Sequence, residues 1–130
     1  MTIREYETRD AAALADLFTL SVRRIGRLDY SDRQVEAWAA RCPSAERLDE
    51  TARDGRTRLV AVDDAGRPLA FIDLEPDGHI DLFYCAPAAA GTGVASGLYD
   101  AAESWAVQNG VARLHAEASE AARRFFLKKG

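Results

Sequence analysis

Between the run His79-Ile-Asp-Leu-Phe-Tyr-Cys85 and a longer amphipathic segment lies Ala86-Pro-Ala-Ala-Ala-Gly-Thr-Gly93, a stretch without a charged side chain. Where a strand enters a helix through Gly91-Thr92-Gly93, backbone N–H groups converge, and the lack of bulky side chains lets an anion approach them. The helix dipole adds about half a positive charge at that end. Main chain alone can therefore hold a phosphate or pyrophosphate there. The other reading of the same residues is a tight structural turn padded with alanines.

A nucleotide P-loop would place Lys and then Ser or Thr after its last glycine, and Val94 after Gly93 excludes it. Gly91-x-Gly93-x-x-x-Gly97, with Glu117 ending the next apolar run, approximates a dinucleotide fingerprint and with it an NAD(P)-binding oxidoreductase. Against it, the strand ahead closes a meander and only one βαβ unit fits. On that strand, period-two alternation puts His79, Asp81, Phe83 and Cys85 on one face. His79 is a proton acceptor with an ordinary pKa near neutrality.

These residues need elements to hold them. "TIREYE" alternates as a first strand, and Thr8 or Asp10 caps a helix carrying Ala13, Leu14, Leu17, Phe18 and Val22 on one face. Gly26 ends it. Ser31 with Gln34 forms a capping box for a second helix with Val35 and Trp38 on one side, and Pro43-Ser44 opens a third that ends near Gly55. The turns Asp64-Ala65-Gly66 and Pro76-Asp77-Gly78 then divide residues 57–85 into a three-strand meander. From Thr92 or Gly93 a helix carries Val94, Leu98, Ala101, Ala102 and Trp105, and Asn109-Gly110 stops it. "VARLHAEA" reads as a strand, and Ser119 caps a last helix. The order predicts one α/β (α+β) domain with a mixed central sheet flanked by helices.

The 130 residues suit one core. Seventeen basic against 21 acidic residues, a net charge of -4, lack the footprint of a nucleic-acid binder, so no nucleic-acid partner is expected. Arg23, Arg24 and Arg27 read as a solvated helix face or a small-anion patch. No apolar run approaches a bilayer span, so no membrane partner is expected. Cys42 and Cys85 have neither metal nor redox spacing, which points to a reducing cytoplasm and to no metal.

Residues 80–130 resemble the coenzyme-A half of the GNAT N-acetyltransferase family: a strand, the signature Gln/Arg-x-x-Gly-x-Gly/Ala, a long helix, a strand, and a helix ending Phe-Tyr-x-x-x-Gly. The signature falls on Ala90, Gly91, Thr92, Gly93, Val94 and Ala95, with Ala90 in place of the leading Gln/Arg and no basic residue at Thr92. "LDYSDRQVEAWA" and "LEPDGHIDLFY" resemble bacterial members of the small-molecule or uncharacterised type, so the resemblance covers nearly the whole chain. Members usually continue into two further strands, which makes residues 1–130 one N-acetyltransferase domain shorter at its C-terminus than the family. The edge of residues 111–118 then predicts pairing with another chain, as in a homodimer, or a continuation of this one.

The resemblance implies an N-acetyltransferase that moves acetyl from acetyl-CoA, its acyl-donor substrate, to the amine of a small molecule by direct attack. It assigns coenzyme contacts to Ala90 through Ser96, backbone contacts to Tyr84 and Cys85, and a pantetheine contact to Ser119, which its capping role explains equally well. Asp81, four residues before Cys85, matches the family's general base, with His79 as a second candidate. The family's tyrosine acid falls on Phe126, which cannot protonate a thiolate, leaving water or a tyrosine such as Tyr84. A non-catalytic, degenerate coenzyme-A-binding domain is the alternative this raises. Asp29, Tyr30 and Trp38 fall where family members line the acceptor pocket, and Asp29, Asp73, Glu75 and Asp81 would favour a cationic amine.

Overall fold

The computed structural model describes residues 1–28 and 30–116. Strands β1 (Thr2–Glu5), β2 (Thr57–Val62), β3 (Pro68–Leu74) and β4 (Ile80–Cys85) form one sheet in that order, each antiparallel to the next. Helices α1 (Ala11–Gly26), α2 (Asp32–Ala39) and α3 (Ala45–Thr51) lie between β1 and β2 in the chain, and α4 (Val94–Gln108) follows β4. No described helix is long and apolar enough to cross a membrane.

Strand alternation divides the core in two. Val60, Val62 and Phe71 pack against Leu14, Leu17, Phe18 and Val22 of α1, with Ala39 of α2 and Leu48 of α3 completing that layer. Ala61, Ala70, Ile72 and Leu74 pack on the other face against Val94, Leu98 and Ala102 of α4. Burying each of the larger side chains contributes about 1.5–3 kcal/mol, which fixes both helical layers against the sheet.

The caps follow the sequence with two changes. Ser31 Oγ accepts the Gln34 N–H at 3.2 Å and Gln34 Oε1 accepts the Ser31 N–H at 2.9 Å, as a capping box requires. Ahead of α1, Asp10 instead accepts the Glu7 N–H at 2.9 Å and holds Arg4 through both its oxygens at 2.9 and 2.8 Å. Gly26 ends α1 without a left-handed conformation, and a Cβ there would lie 3.1 Å from Val35 Cγ2, so close contact with α2 explains the glycine.

Among the described residues, parallel pairing occurs at one bridge. Ile80 N–H donates to the His115 carbonyl at 2.7 Å and His115 N–H donates to the Gly78 carbonyl at 3.1 Å. Of the strand expected over 111–118, residues 111–116 are described, and they form this single bridge and no ladder. Gly78 has φ +95°, and an added Cβ would sit 2.3 Å from the Arg113 carbonyl oxygen, so both the turn and the crossing chain demand a glycine.

Candidate functional site

Helix α4 starts at Val94 behind Gly93, whose φ is +90° and which offers no side-chain cap. Its first internal bond, Gly97 N–H to the Gly93 carbonyl at 3.0 Å, leaves the amides of Val94, Ala95 and Ser96 ahead of the helical ladder. Gly91 also lies in the left-handed region, at φ +78°, and a Cβ on either glycine would meet nothing within 4 Å. The backbone of Gly91-Thr92-Gly93 is therefore approachable from solvent. The Thr92 hydroxyl is already engaged, donating to the Ala89 carbonyl at 2.5 Å. Ala90 is exposed and contributes only main chain. An anion at this corner would meet amides and a helix dipole with no competing side chain.

One correction concerns the faces of β4. The ladder pairs Asp73 with Leu82 but Leu74 with Ile80, so Asp81 is an inserted residue, a β-bulge. Alternation restarts there: Ile80, Phe83 and Cys85 join the α4-side core, and Leu82 and Tyr84 the α1-side core. Asp81 does not share a face with Phe83 and Cys85. Its Oδ2 accepts from Arg56 Nη1 at 2.8 Å.

Arg56 links Asp81 to a buried network. The same Nη1 donates to Asp73 Oδ2 at 2.7 Å, while Nε and Nη2 grip Asp54. Arg56 holds the Asp54 carboxyl below the usual range. Arg58, directly opposite Asp73 in the ladder, donates to both its oxygens at 2.6 and 2.8 Å and to the Leu48 carbonyl at 2.8 Å. Asp73 is therefore no acceptor-binding group; it is sealed in the core with its charge matched by Arg56 and Arg58. The sequence reading missed Arg56 and Arg58. Counting outward from the Asp64-Ala65-Gly66 turn pairs Val62 with Pro68 and would set Arg58 opposite Ile72; the register shift at Ala61/Val62 brings it opposite Asp73 instead.

His79 and Asp81 do come together, with Glu75 as a third member: their ligating atoms lie within 4.8 Å of one another. His79 Nδ1 bonds Glu75 Oε1 at 2.5 Å; that hydrogen bond is the largest influence and raises the imidazole pKa, burial opposes it as the next largest, and the charges of Glu75, Asp81 and Asp77 add to the rise. These are metal-ligating residue types, though Glu75 and His79 already engage each other and Arg56 occupies Asp81.

At the far end of β4, the Ala86 N–H donates to the Leu69 carbonyl at 2.7 Å. By alternation the Tyr84 amide also faces β3 and the Cys85 amide faces the opposite edge. The Tyr84 ring stacks on Phe18 at 4.0 Å between centroids, and burial pushes its phenol up to about 12. Burial likewise pushes the Cys85 thiol up, which suits a main-chain role better than a nucleophilic one. Tyr30 and Trp38 meet edge to face at 6.0 Å, and Trp38 also packs against the α1-side core. Asp29, Glu117, Ser119 and Phe126 lie outside the described residues.

The sheet ahead of α4 is an antiparallel meander, and the described residues add one parallel bridge at His115, well short of the doubly wound parallel sheet to which a dinucleotide fingerprint belongs. The family model described as an acetyltransferase (GNAT) domain matches residues 27–130. The crystal structure of a GCN5-related N-acetyltransferase from Rhodopseudomonas palustris is 37% identical with a TM-score of 0.86, over 99% of this chain and 79% of that one. That of the PaiA N-acetyltransferase from Thermoplasma acidophilum, in complex with coenzyme A, is 21% identical with a TM-score of 0.85, over 99% and 87% of the two chains. No curated protein sequence matches the chain.

Proposed function

The chain belongs to the GNAT acetyltransferase family, and from that premise we propose that it binds acetyl-CoA at the start of α4 and acetylates the amine of a small molecule. The observation that carries this is the side-chain-free corner where β4 enters α4: two left-handed glycines followed by three amides ahead of the helical ladder. Gly91 through Ser96 would bind the pyrophosphate, with Ala90 as an approachable neighbour and Ser119 on the pantetheine arm. The outward amide of Cys85 would orient the thioester carbonyl, and the Tyr84 backbone would hold that amide in place through its ladder bonds to β3.

Transfer needs a neutral amine beside the thioester carbon. In this reading Asp81 takes one proton from the ammonium. The nitrogen lone pair then forms the C–N bond as the C–S bond breaks, and the departing thiolate takes the electron pair and a proton. Tyr30 and Trp38, with Asp29 between α1 and α2, would line the acceptor pocket. Asp73 has no place in it, since Arg56 and Arg58 already neutralise it.

Calorimetric titration with acetyl-CoA, CoA and NADPH, followed by thiol release over a panel of amines, tests the reading. Acetyl-CoA binding with amine-dependent thiol release is expected. Binding without release from any amine would leave a coenzyme-A-binding domain and defeat the enzyme. A folded chain that binds no acyl-CoA would defeat both.

A further inference from the structure

Asp81 and His79 are rivals in the sequence, each a candidate for the same proton. Their arrangement makes them successive. Asp81 is tied to Arg56 on one side, and on the other its carboxylate lies within 4.8 Å of the ligating atoms of His79 and Glu75. His79 lies two residues further from Cys85, toward the hairpin tip. A proton taken up at Asp81 therefore has a second acceptor within reach of one bridging water, and beyond it the solvent.

Resting on the transfer reading above, we infer that His79 receives from Asp81 the proton removed from the acceptor ammonium and passes it to water, with Glu75 as the positioning residue that fixes the imidazole. The balance is simple. An ammonium loses two protons on becoming an amide; one ends on the coenzyme A thiol, and the other follows Asp81, His79 and solvent.

The hairpin makes the His79–Glu75 pair rigid. Glu75 and His79 close the turn, the Glu75 N–H donating to the His79 carbonyl at 2.9 Å and the Gly78 N–H to the Glu75 carbonyl at 2.9 Å. The Asp77 side chain accepts the His79 N–H at 3.0 Å, and the His115 backbone is bonded to Gly78 and Ile80. With Nδ1 engaged by Glu75, Nε2 is the nitrogen left to exchange protons. The charged and titratable groups facing His79 are Glu75 and Asp77 of the hairpin, Asp81 of β4 with its partner Arg56, and His115, whose ring centroid lies 5.4 Å away. The acidic groups favour the imidazolium, and Glu75 contributes most.

The relay works only while His79 is neutral, so turnover should fall as pH drops through the His79 pKa. Removing Glu75 lowers that pKa, and the acidic limb should move to lower pH. Three measurements test this on the full chain: kcat and KM against pH for wild type, Glu75→Gln and His79→Gln; rescue by added imidazole; and titration of the His79 ring by NMR. We expect His79→Gln to lower kcat roughly ten- to hundredfold with KM unchanged and imidazole to restore it, and Glu75→Gln to shift both the kcat limb and the NMR titration downward. Turnover by His79→Gln with an unaltered pH profile, or a Glu75→Gln limb that stays in place, would overturn the relay while leaving the transferase reading intact. No thiol release by the wild-type chain would overturn the transferase reading itself, and the relay with it.

Discussion

Arg58 and Asp73 face each other across the β2–β3 ladder, and both are sealed from solvent, joined by two hydrogen bonds at 2.6 and 2.8 Å. Breaking such a pair leaves an unmatched buried charge, which typically costs about 3–5 kcal/mol, whereas replacing both members with apolar residues can be nearly neutral. Arg58 also satisfies the Leu48 carbonyl of α3, so its loss reaches the helical layer. Asp73→Asn or Arg58→Met should therefore lower the unfolding free energy by several kcal/mol in urea, and the paired change Arg58→Met with Asp73→Leu should recover a large part of it. Additive losses in the double variant would contradict this.

Asp81→Asn should slow thiol release about a hundredfold or more while leaving acetyl-CoA affinity within a few-fold of wild type. The residue is the bulge of β4, four residues before Cys85 and away from the glycine corner. A matching loss of coenzyme affinity, measured by calorimetry, would mean the side chain supports binding instead.

Gly93→Val should weaken acetyl-CoA binding at least tenfold. The substitution forces a β-branched residue into φ +90° at the helix start, at a cost of about 1–3 kcal/mol, and places a side chain over the amides of the corner. Thr92→Val, which changes a hydroxyl already committed to the Ala89 carbonyl, should leave affinity nearly unchanged. Equal effects from the two would remove the case for a backbone cradle.

Asp10 predicts a pH dependence of stability. Burial alone would push its carboxyl up, yet the hydrogen bonds from Arg4 and the Glu7 amide outweigh that and hold it below its ordinary value of 3.8. A depressed folded pKa stabilises the fold fully above the unfolded value, and the contribution is lost as pH falls below it through the folded one. Asp10→Asn should cost roughly 1–2 kcal/mol at pH 7. Between pH 5 and pH 2.5 it should also flatten part of the acid destabilisation seen in urea titrations of wild type.

Gly78→Ala should destabilise the chain by more than the roughly 1–2 kcal/mol of a left-handed alanine, because the new Cβ would meet the Arg113 carbonyl at 2.3 Å. Thermal unfolding reads this. A shift no larger than for Gly91→Ala, where the same Cβ meets nothing, would indicate that the 111–115 segment yields easily.

The order of elements was readable because it rests on local signals: the Ser31 and Gln34 capping box, the two glycine turns of the meander, and Gly93 ahead of α4 all occur where the residues place them. Local geometry was legible where main chain sets it, since the glycines at 91 and 93 declare a backbone conformation. It was misread where pairing across strands decides. Nothing near Asp73 in the sequence announces Arg58, and an alternating pattern through His79-Ile-Asp-Leu-Phe gives no hint of the extra residue that the ladder reveals. The Glu75–His79 contact escaped because it spans a turn, where side chains four apart meet only once the hairpin has closed.

Because the register passes from Leu74–Ile80 to Asp73–Leu82, Asp81 faces no counterpart on β3. Its side chain is excused from the cross-strand matching that constrains its neighbours. Backbone pairing is thus independent of the side chain at residue 81, and what that side chain must answer to is Arg56, which it shares with Asp73.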